Sequence, residues 1–300
     1  FPDTLAWGRG ARLPRLREDL MGQLVVQVAC GAKHCAVVTD GGVLLTWGDN
    51  EYGQLGHGDK GRLTRRRRLA SLARSVVSAV ACGRCHTLAV TDDGALHAWG
   101  SHEFGQLGLG DGGPSVLDAM RCAVQPSALA QPNGGAAWSA RAAALACGDV
   151  HSAALTSDGA VMTWGCADEG RLGLADTADH SDVSDGPVRA PSTVRGLPAA
   201  VEQVGCGDEF TAVLTAEGDL YGFGANYAAQ LGLSPDDVEG CAAPVRLLEG
   251  LLIGGVAQLA CGADHMACLD DLGQLWLWGG RFGEEPRRVA LPAPALGGGS

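Results

Sequence analysis

Short apolar runs separated by glycine-rich and polar turns recur along the whole chain. Runs of this length, bounded by glycine, aspartate and serine, are typical of β-strands rather than helices. Between the second and third runs, the string Thr39-Asp40-Gly41-Gly42 predicts a tight hairpin, because glycine readily adopts positive φ. The pattern predicts an antiparallel all-β fold. The four strands predicted for the first complete unit are Val25 to Cys30, His34 to Thr39, Val43 to Trp47 and Leu63 to Leu69.

The same pattern repeats in register. Five units align on the Cys-Gly pairs that begin at Cys30, Cys82, Cys147, Cys206 and Cys261. Four residues after each cysteine come His34, His86, His151, Phe210 and His265. Seventeen residues after each cysteine come Trp47, Trp99, Trp164, Phe223 and Trp278. Successive cysteines are 52, 65, 59 and 55 residues apart. A constant block joined by variable loops indicates a repeat protein.

Several similar four-stranded antiparallel sheets around one axis form a β-propeller. We therefore predict a single propeller domain over residues 1–292, with a flexible tail at 293–300. A Trp-Gly pair at Trp7 has no upstream half, so the first unit is half a repeat. The tryptophans and Phe223 are predicted to fill blade cores, and the histidines to tether loops by hydrogen bonds. The predicted units are about 1–22, 23–74, 75–139, 140–198, 199–253 and 254–292.

The net charge of −12 disfavours nucleic acid and anionic membranes as partners of the whole surface, and it suits a basic protein partner. We expect no membrane span, because no apolar stretch approaches the required length. Eleven scattered cysteines predict reduced thiols and an intracellular location, cytoplasmic or nuclear. Because the chain begins with Phe1, we expect it to be a piece of a longer protein.

Two cysteine patterns suggest haem or metal. Cys82 to His86 reads Cys-x-x-Cys-His, the string of covalent haem attachment. Lys33, Val150 and Asp264 stand in other units where this unit has Cys85, so we interpret the match as coincidental. Structural zinc needs four ligands in one site, whereas four units supply one Cys-x₃-His pair each and the unit of Cys206 has Phe210 instead of the histidine. No nucleophile–base set recurs. No catalytic residue, metal or cofactor is predicted.

A basic run lies near the end of the first complete unit. Residues 60–74 contain 7 of the 22 lysines and arginines, including Arg65 to Arg68. Such a run is typical of nuclear-import or nucleic-acid patches. It also suits an outermost strand, where charged residues protect an exposed edge. The acidic charge of the rest of the chain favours edge protection.

One face of the propeller gathers charged and aromatic residues. If the strands of a blade alternate in direction, its first turn and its third-to-fourth loop share that face. We predict that this face binds a basic protein partner. Whether its aromatic side chains contact the partner or anchor their own loops is left open. The acidic residues predicted there are Asp49, Glu51, Glu103, Asp149, Asp168, Glu169, Asp208, Glu209 and Asp264. The other residues predicted there are Asn50, Tyr52, His102, Phe104, Asn226, Tyr227, Arg281 and Phe282.

The repeated string Ala-Cys-Gly-x-x-His, followed by Asp-Gly, Trp-Gly and Gly-Gln-Leu-Gly, resembles the regulator of chromosome condensation repeat. The resemblance covers nearly the whole chain. That family usually closes seven-bladed rings, so five complete units and one half unit imply an incomplete ring. The near-identical strings Gly48 to Asp59 and Gly100 to Asp111 are then blade corners rather than phosphate loops, and they lack the lysine that a phosphate loop needs.

The resemblance implies three classes of function. The first is a non-catalytic protein–protein interaction propeller within a larger scaffold or a HECT-type ubiquitin ligase, and this is our prediction. The second is guanine-nucleotide exchange on a Ran-like small GTPase. The third is binding to histones or chromatin. The implied partner is accordingly a small GTPase, a histone or a ligase substrate.

Overall fold

The computed structural model describes residues 5–6, 15–16, 24–110, 123–124, 141–175, 186–198, 200–249 and 254–290. These residues form five four-stranded antiparallel sheets and one two-stranded sheet. Within each four-stranded sheet, hydrogen-bonded neighbours follow one another in sequence. Each sheet is a propeller blade, which confirms the predicted fold class.

The strands divide among the sheets as follows. The two-stranded sheet contains β1 (Leu5–Ala6) and β2 (Arg15–Leu16). Blade 1 contains β3 (Val25–Cys30), β4 (His34–Thr39), β5 (Leu44–Gly48) and β6 (Leu63–Arg68). Blade 2 contains β7 (Val77–Cys82), β8 (His86–Thr91), β9 (Leu96–Gly100) and β10 (Ala123–Val124). Blade 3 contains β11 (Ala142–Cys147), β12 (His151–Thr156), β13 (Val161–Gly165) and β14 (Val188–Thr193). Blade 4 contains β15 (Val201–Cys206), β16 (Phe210–Thr215), β17 (Leu220–Ala225) and β18 (Gly240–Arg246). Blade 5 contains β19 (Val256–Cys261), β20 (His265–Asp270), β21 (Leu275–Gly279) and β22 (Arg287–Val289).

The bounds of blade 1 match the predicted strands to within one residue. The third strand runs one residue further than predicted because Gly48 pairs with both His34 and Leu63. Trp7 and residues 293–300 lie outside the described residues, so the half unit, the tail and the unit boundaries stay predictions. No helix among the described residues is long and apolar enough to cross a membrane.

Each blade packs on the first two strands of the blade before it. The first strand of blade 2 contacts β3 and β4, and the first strands of blades 3, 4 and 5 repeat this contact with their own predecessors. The hydrophobic core therefore lies between blades. Trp164 of blade 3, fully buried, joins Leu88 and Leu96 of blade 2 in one cluster, and Trp278 of blade 5 joins Phe210 of blade 4 in another. In blades 2 to 5 the aromatic residue at the seventeenth position after the cysteine fills these gaps, whereas Trp47 of blade 1 is partly buried and packs against its own blade.

We expect Trp99→Ala to lower the free energy of unfolding by about 3–5 kcal/mol, as for other large buried aromatic residues. The Trp99 side chain is 4% exposed, and its indole donates to the Gln54 carbonyl oxygen at 2.8 Å. Chemical denaturation gives the measurement. Trp99→Phe is the comparison variant, because it keeps an aromatic ring while it loses the hydrogen bond and part of the ring volume, so it should cost less than the alanine variant. A loss below about 1 kcal/mol for the alanine variant would contradict the packing described here.

Candidate interaction face

The turns between the first and second strands of the five blades meet around a central cavity of about 500 Å³. They open on the same side as the loops between third and fourth strands. We call this side, formed by the five turns and those loops, the loop face. The segments that line the cavity are Cys30 to Lys33, Cys82 to Arg84, Cys147 to Asp149, Cys206 to Asp208 and Cys261 to Ala263.

Glycine follows each of these cysteines because a side chain has no room there. A Cβ at Gly31 would lie 2.1 Å from the carbonyl oxygen of Gly83 in the next blade and 2.6 Å from Cε1 of His34. A Cβ at Gly148 would lie 2.1 Å from Cε1 of His151. The imidazole ring therefore packs directly against the backbone of its own turn.

Each buried histidine bonds to the next blade. His34 Nε2 lies 2.8 Å from Thr87 Oγ1 of blade 2, and that hydroxyl donates to the carbonyl oxygen of Gln54 in blade 1 at 2.8 Å. A hydroxyl has one proton to donate, so His34 must donate from Nε2. Trp99 donates to the same Gln54 oxygen. We call this set, His34, Gln54, Thr87 and Trp99, the interblade latch.

The latch recurs between the next two pairs of blades. Between blades 2 and 3 it consists of His86, Gln106, Ser152 and Trp164, with bonds of 2.8 to 3.0 Å. Between blades 3 and 4 it consists of His151, Arg171 and Thr211, with bonds of 2.8 and 3.0 Å. Phe223 takes the tryptophan position there and has no indole to donate. The prediction that the histidines tether loops is corrected for His34, His86 and His151, which join one blade to the next. His265 instead contacts Asp264 and Phe282 of its own blade.

Between blades 4 and 5 both polar members of the latch are replaced. Phe210 stands in place of the histidine, and Met266 in place of the hydroxyl. Both are fully buried and belong to one hydrophobic cluster. Replacing both together leaves no buried polar group without its partner. Trp278 still donates to the Gln230 carbonyl oxygen at 3.1 Å.

Buried side chains brace the loops between third and fourth strands. Gln54 Oε1 accepts from the Tyr52 backbone N–H at 2.9 Å, and Asn50 Oδ1 accepts from the Leu55 N–H at 2.9 Å. His102 occupies the place of Asn50 in blade 2, is 6% exposed, and accepts from the Leu107 N–H at 3.3 Å. His102 was predicted to belong to the binding surface, and its burial corrects that prediction. The same correction applies to Asn50 and Asn226, which were also predicted on the binding surface and are both 0% exposed.

Three aromatic side chains of these loops reach solvent. Tyr52 is 41% exposed, Phe104 37% and Tyr227 59%. Tyr52 and Phe104 occupy the fourth position after the glycine of the Trp-Gly pair, whereas Tyr227 occupies the third. Phe282 packs edge-on against His265 with ring centroids 4.9 Å apart. Phe282 therefore anchors its loop, and the other three present ring surface.

Most of the predicted acidic residues are accessible, and those of blades 3 and 4 interact. Burial and the neighbouring Asp149 and Glu209 carboxylates raise the pKa of Asp208, while Arg84 opposes the rise. Arg84 is bound to Asp149 at 2.9 Å. The exposed acidic residues of the face are Glu51, Glu103, Asp168, Glu169, Asp208 and Asp264, and the exposed basic ones are Lys33, Arg84 and Arg281. Asp49, Asp149 and Glu209 are partly buried.

A buried arginine ties blade 3 to blade 4 beneath this surface. Arg171, 3% exposed, stands where blades 1, 2 and 4 carry glutamine. Its Nε donates to the Asp168 carbonyl oxygen at 2.7 Å, and Nη2 lies 3.5 Å from Glu209 Oε1. The other Glu209 oxygen accepts from the Tyr227 hydroxyl, and this bond raises the pKa of Tyr227 to about 12. Glu209 thus has structural partners, unlike the exposed acids beside it.

Two further sequence motifs are the basic run Arg65 to Arg68 and the Cys-x-x-Cys-His string. The basic run lies away from the centre of the loop face, and the first cysteine of the string is buried. Arg65 to Arg68 form β6 at the outer edge of blade 1, where Arg67 lies 3.6 Å from the Asp59 carboxylate. In the Cys-x-x-Cys-His string, burial raises the pKa of Cys82 to about 12. Among the described residues, no group of three or more His, Cys, Asp or Glu side chains could hold a metal ion.

The family model described as "Regulator of chromosome condensation (RCC1) repeat" matches residues 41–90, 93–155, 158–214 and 217–269. A second model of the same description matches residues 25–54, 77–106, 142–171 and 201–230. The chain is an RCC1-repeat propeller and belongs to this family.

Similar curated proteins and a solved structure are consistent with this family. The chain is 35% identical over 255 residues to the E3 ubiquitin-protein ligase HERC2 of Homo sapiens, covering 84% of this chain and 5% of the relative. It is 31% identical over 262 residues to the ultraviolet-B receptor UVR8 of Arabidopsis thaliana, covering 87% of this chain and 54% of the relative. The structure of human WBSCR16 matches at 27% identity with a TM-score of 0.73, covering 89% of this chain and 67% of that chain. The chain thus spans about half of UVR8 and a small part of HERC2.

The apolar replacement between blades 4 and 5 predicts a coupled pair. Phe210→His alone buries an imidazole without a hydroxyl partner, and Met266→Thr alone buries a hydroxyl beside a phenyl ring. We expect each to lower the free energy of unfolding, and the double variant to lose less than the sum, with a coupling of about 0.5–3 kcal/mol. A double-mutant cycle in urea gives the value. Additive losses would show that the two positions do not act together.

Because of the latch histidines, we expect the free energy of unfolding to fall already at pH values above those at which carboxylates titrate. Burial lowers the pKa of His34 to about 4 and the pKa values of His86 and His151 to about 3. In the unfolded chain these histidines take up protons near pH 6.5. Their contribution is therefore fully present above pH 6.5 and is lost as the pH falls towards 4, with a slope of at most about 4 kcal/mol per pH unit for three protons.

Urea denaturation at pH 7, 6 and 5 measures this slope. The matched variant His86→Gln removes one titrating group, so its slope should be smaller by about 1.4 kcal/mol per pH unit. Equal slopes for the two proteins, or constant stability between pH 7 and 5, would contradict the buried neutral state of His86.

Proposed function

We propose that this chain is a non-catalytic protein-interaction module whose loop face binds a basic protein partner. The observation that carries the proposal is the combination of exposed aromatic rings, Tyr52, Phe104 and Tyr227, with exposed carboxylates on one face. Aromatic side chains supply contact area at interfaces, while a surface field of one sign speeds encounter with a partner of the other sign.

The mutual repulsion of carboxylates supports a positive partner. Asp149, Glu209 and Asp264 all act to raise the pKa of Asp208, so a cation placed there would relieve an existing cost. Arg84 neutralises only part of this charge. A lysine or arginine from a partner protein would complete the neutralisation at the mouth of the central cavity.

The relatives suggest which larger proteins such a module serves. In HERC2, named an E3 ubiquitin-protein ligase, the matched segment is a small part of the length. This supports a recognition module within a larger scaffold or ligase. We propose a cytoplasmic or nuclear location for it, as expected from the scattered cysteines. Prp20p of Saccharomyces cerevisiae shares the fold at 18% identity with a TM-score of 0.65, and that protein is described as binding Gsp1p and histones. Core histones are therefore the first basic probe, and a Ran-type GTPase the second.

The test compares two triple variants with the same change in charge. Glu103→Lys, Glu169→Lys and Asp208→Lys alter the loop face on blades 2, 3 and 4. Asp40→Lys, Asp92→Lys and Glu217→Lys alter the turns between second and third strands, on the opposite face. Stopped-flow association with core histones at low salt should slow about tenfold for the first triple only. The difference should shrink at physiological salt, where the Debye length is about 8 Å.

Equal slowing by both triples would show that net charge alone acts, and the proposed face would then be wrong. Unchanged rates for the first triple would also overturn it. Release of a fluorescent guanine nucleotide from the GTPase, accelerated by the wild-type chain and not by the first triple, would instead assign exchange activity to the same face.

A further inference from the structure

Blade 1 carries two facing cysteines where the other blades carry one. Cys30 on β3 and Cys35 on β4 are direct partners in the antiparallel register. The residues at the Cys35 position in blades 2 to 5 are Thr87, Ser152, Thr211 and Met266, each opposite the first-strand cysteine of its own blade. Only in blade 1 does one thiol stand across from another.

The backbone register fits a disulfide at this pair. The Gly31 N–H donates to the His34 carbonyl oxygen at 2.9 Å, so Gly31 and His34 form a hydrogen-bonded pair. Such pairs alternate with non-hydrogen-bonded ones along an antiparallel ladder, and Cys30 with Cys35 is the next pair. In non-hydrogen-bonded pairs the Cα atoms are about 4.5 Å apart, which lies within the range of about 4.4–6.8 Å found in disulfides. The usual separation of such a pair is therefore compatible with a disulfide.

Opposed side chains at this position already touch in other blades. In blade 4, Cys206 Sγ lies 3.8 Å from Thr211 Oγ1. In blade 1 a hydrogen bond from the Cys35 thiol lowers the pKa of Cys30 to about 7, although burial acts in the opposite direction. Burial instead raises the pKa of Cys82, the equivalent cysteine of blade 2, to about 12. A thiolate is the reactive form of cysteine, so Cys30 is more reactive than Cys82.

Cys30 is also the more accessible cysteine. It is exposed, whereas Cys82 is 9% exposed. Blade 1 covers the first strand of blade 2, which buries Cys82. The neighbouring valines show the same contrast, with Val28 at 56% exposure and its counterpart Val80 at 2%.

We propose that Cys30 and Cys35 are a modification site that forms a reversible disulfide, with a peroxide as the oxidant. The Cys30 thiolate attacks one peroxide oxygen and becomes a sulfenic acid, and the other oxygen leaves as water after protonation. The Cys35 sulfur then attacks the sulfenic sulfur and releases a second water. Two thiols are oxidised by two electrons, and one peroxide is reduced to two waters.

Peptide mapping of the wild-type chain tests the proposal. The reduced protein is treated with one equivalent of hydrogen peroxide, blocked with an alkylating reagent and digested with trypsin. Cleavage after Lys33 falls between the two cysteines, so the disulfide joins the peptides 18–33 and 34–60. We expect the joined pair, lighter than the separate peptides by two hydrogen atoms, and its disappearance after dithiothreitol.

Two variants sharpen the result. Cys35→Thr introduces the residue that blade 2 carries at this position, and it should abolish the joined peptides. Cys85→Ser, in the turn of blade 2, is the matched control and should leave them unchanged. Irreversible oxidation of Cys30 with Cys35 still alkylated, or dimers linked through Cys30, would overturn the proposal. So would two unmodified thiols after other cysteines have been oxidised. The three contradicting outcomes are measured on the wild-type chain, so they do not depend on the folding of either variant.

Discussion

A single carbonyl oxygen, that of Gln54, accepts hydrogen bonds from two side chains of the following blade, a hydroxyl and an indole. The other features of the latch depend on this arrangement. The hydroxyl has given its proton to the carbonyl, so it can only accept from His34, and Nε2 of His34 must carry a proton. Burial lowers the pKa of His34 to about 4, so the ring is neutral at pH 7. The imidazole in turn occupies the space that excludes any side chain at Gly31. A blade of this propeller cannot complete its own hydrogen bonds without a neighbour.

The same glutamine also shapes the loop face. While the backbone oxygen of Gln54 joins two blades, its side-chain oxygen holds the backbone of Tyr52, and Gln106 does the same for Phe104 in blade 2. The exposed rings are therefore mounted on residues that also hold the blades together. A surface built in this way is pre-organised, which reduces the entropy lost when a partner binds.

The sequence predicted the blades because these depend on local periodicity and on fixed spacings within one unit. It placed the aromatic residues inside single blades, whereas Trp99, Trp164 and Trp278 pack between two blades. It did not predict the latch, because the partners of each histidine lie in another blade; His34 and Thr87 are 53 residues apart. The signal was nonetheless visible, since Thr87, Ser152 and Thr211 each directly follow the histidine or phenylalanine of the repeat. Residue type alone also failed to distinguish the buried His102 from the exposed Glu103 beside it, because burial depends on how the loop folds back.

The matched repeats are out of step with the blades. Residues 41–90 begin in the turn before β5 and end within β8, so one repeat comprises the outer half of blade 1 and the inner half of blade 2. Gln54 and Thr87, the carbonyl and hydroxyl of one latch, lie inside the same repeat. A gene that gains or loses a whole repeat therefore gains or loses one carbonyl–hydroxyl pair as a unit, and the breakpoints lie in turns on the side away from the loop face. His34 and Trp99, the other two members of the latch, lie outside residues 41–90 and come from the flanking segments. Blade number can change during evolution without interrupting either the joints between blades or the surface that they support.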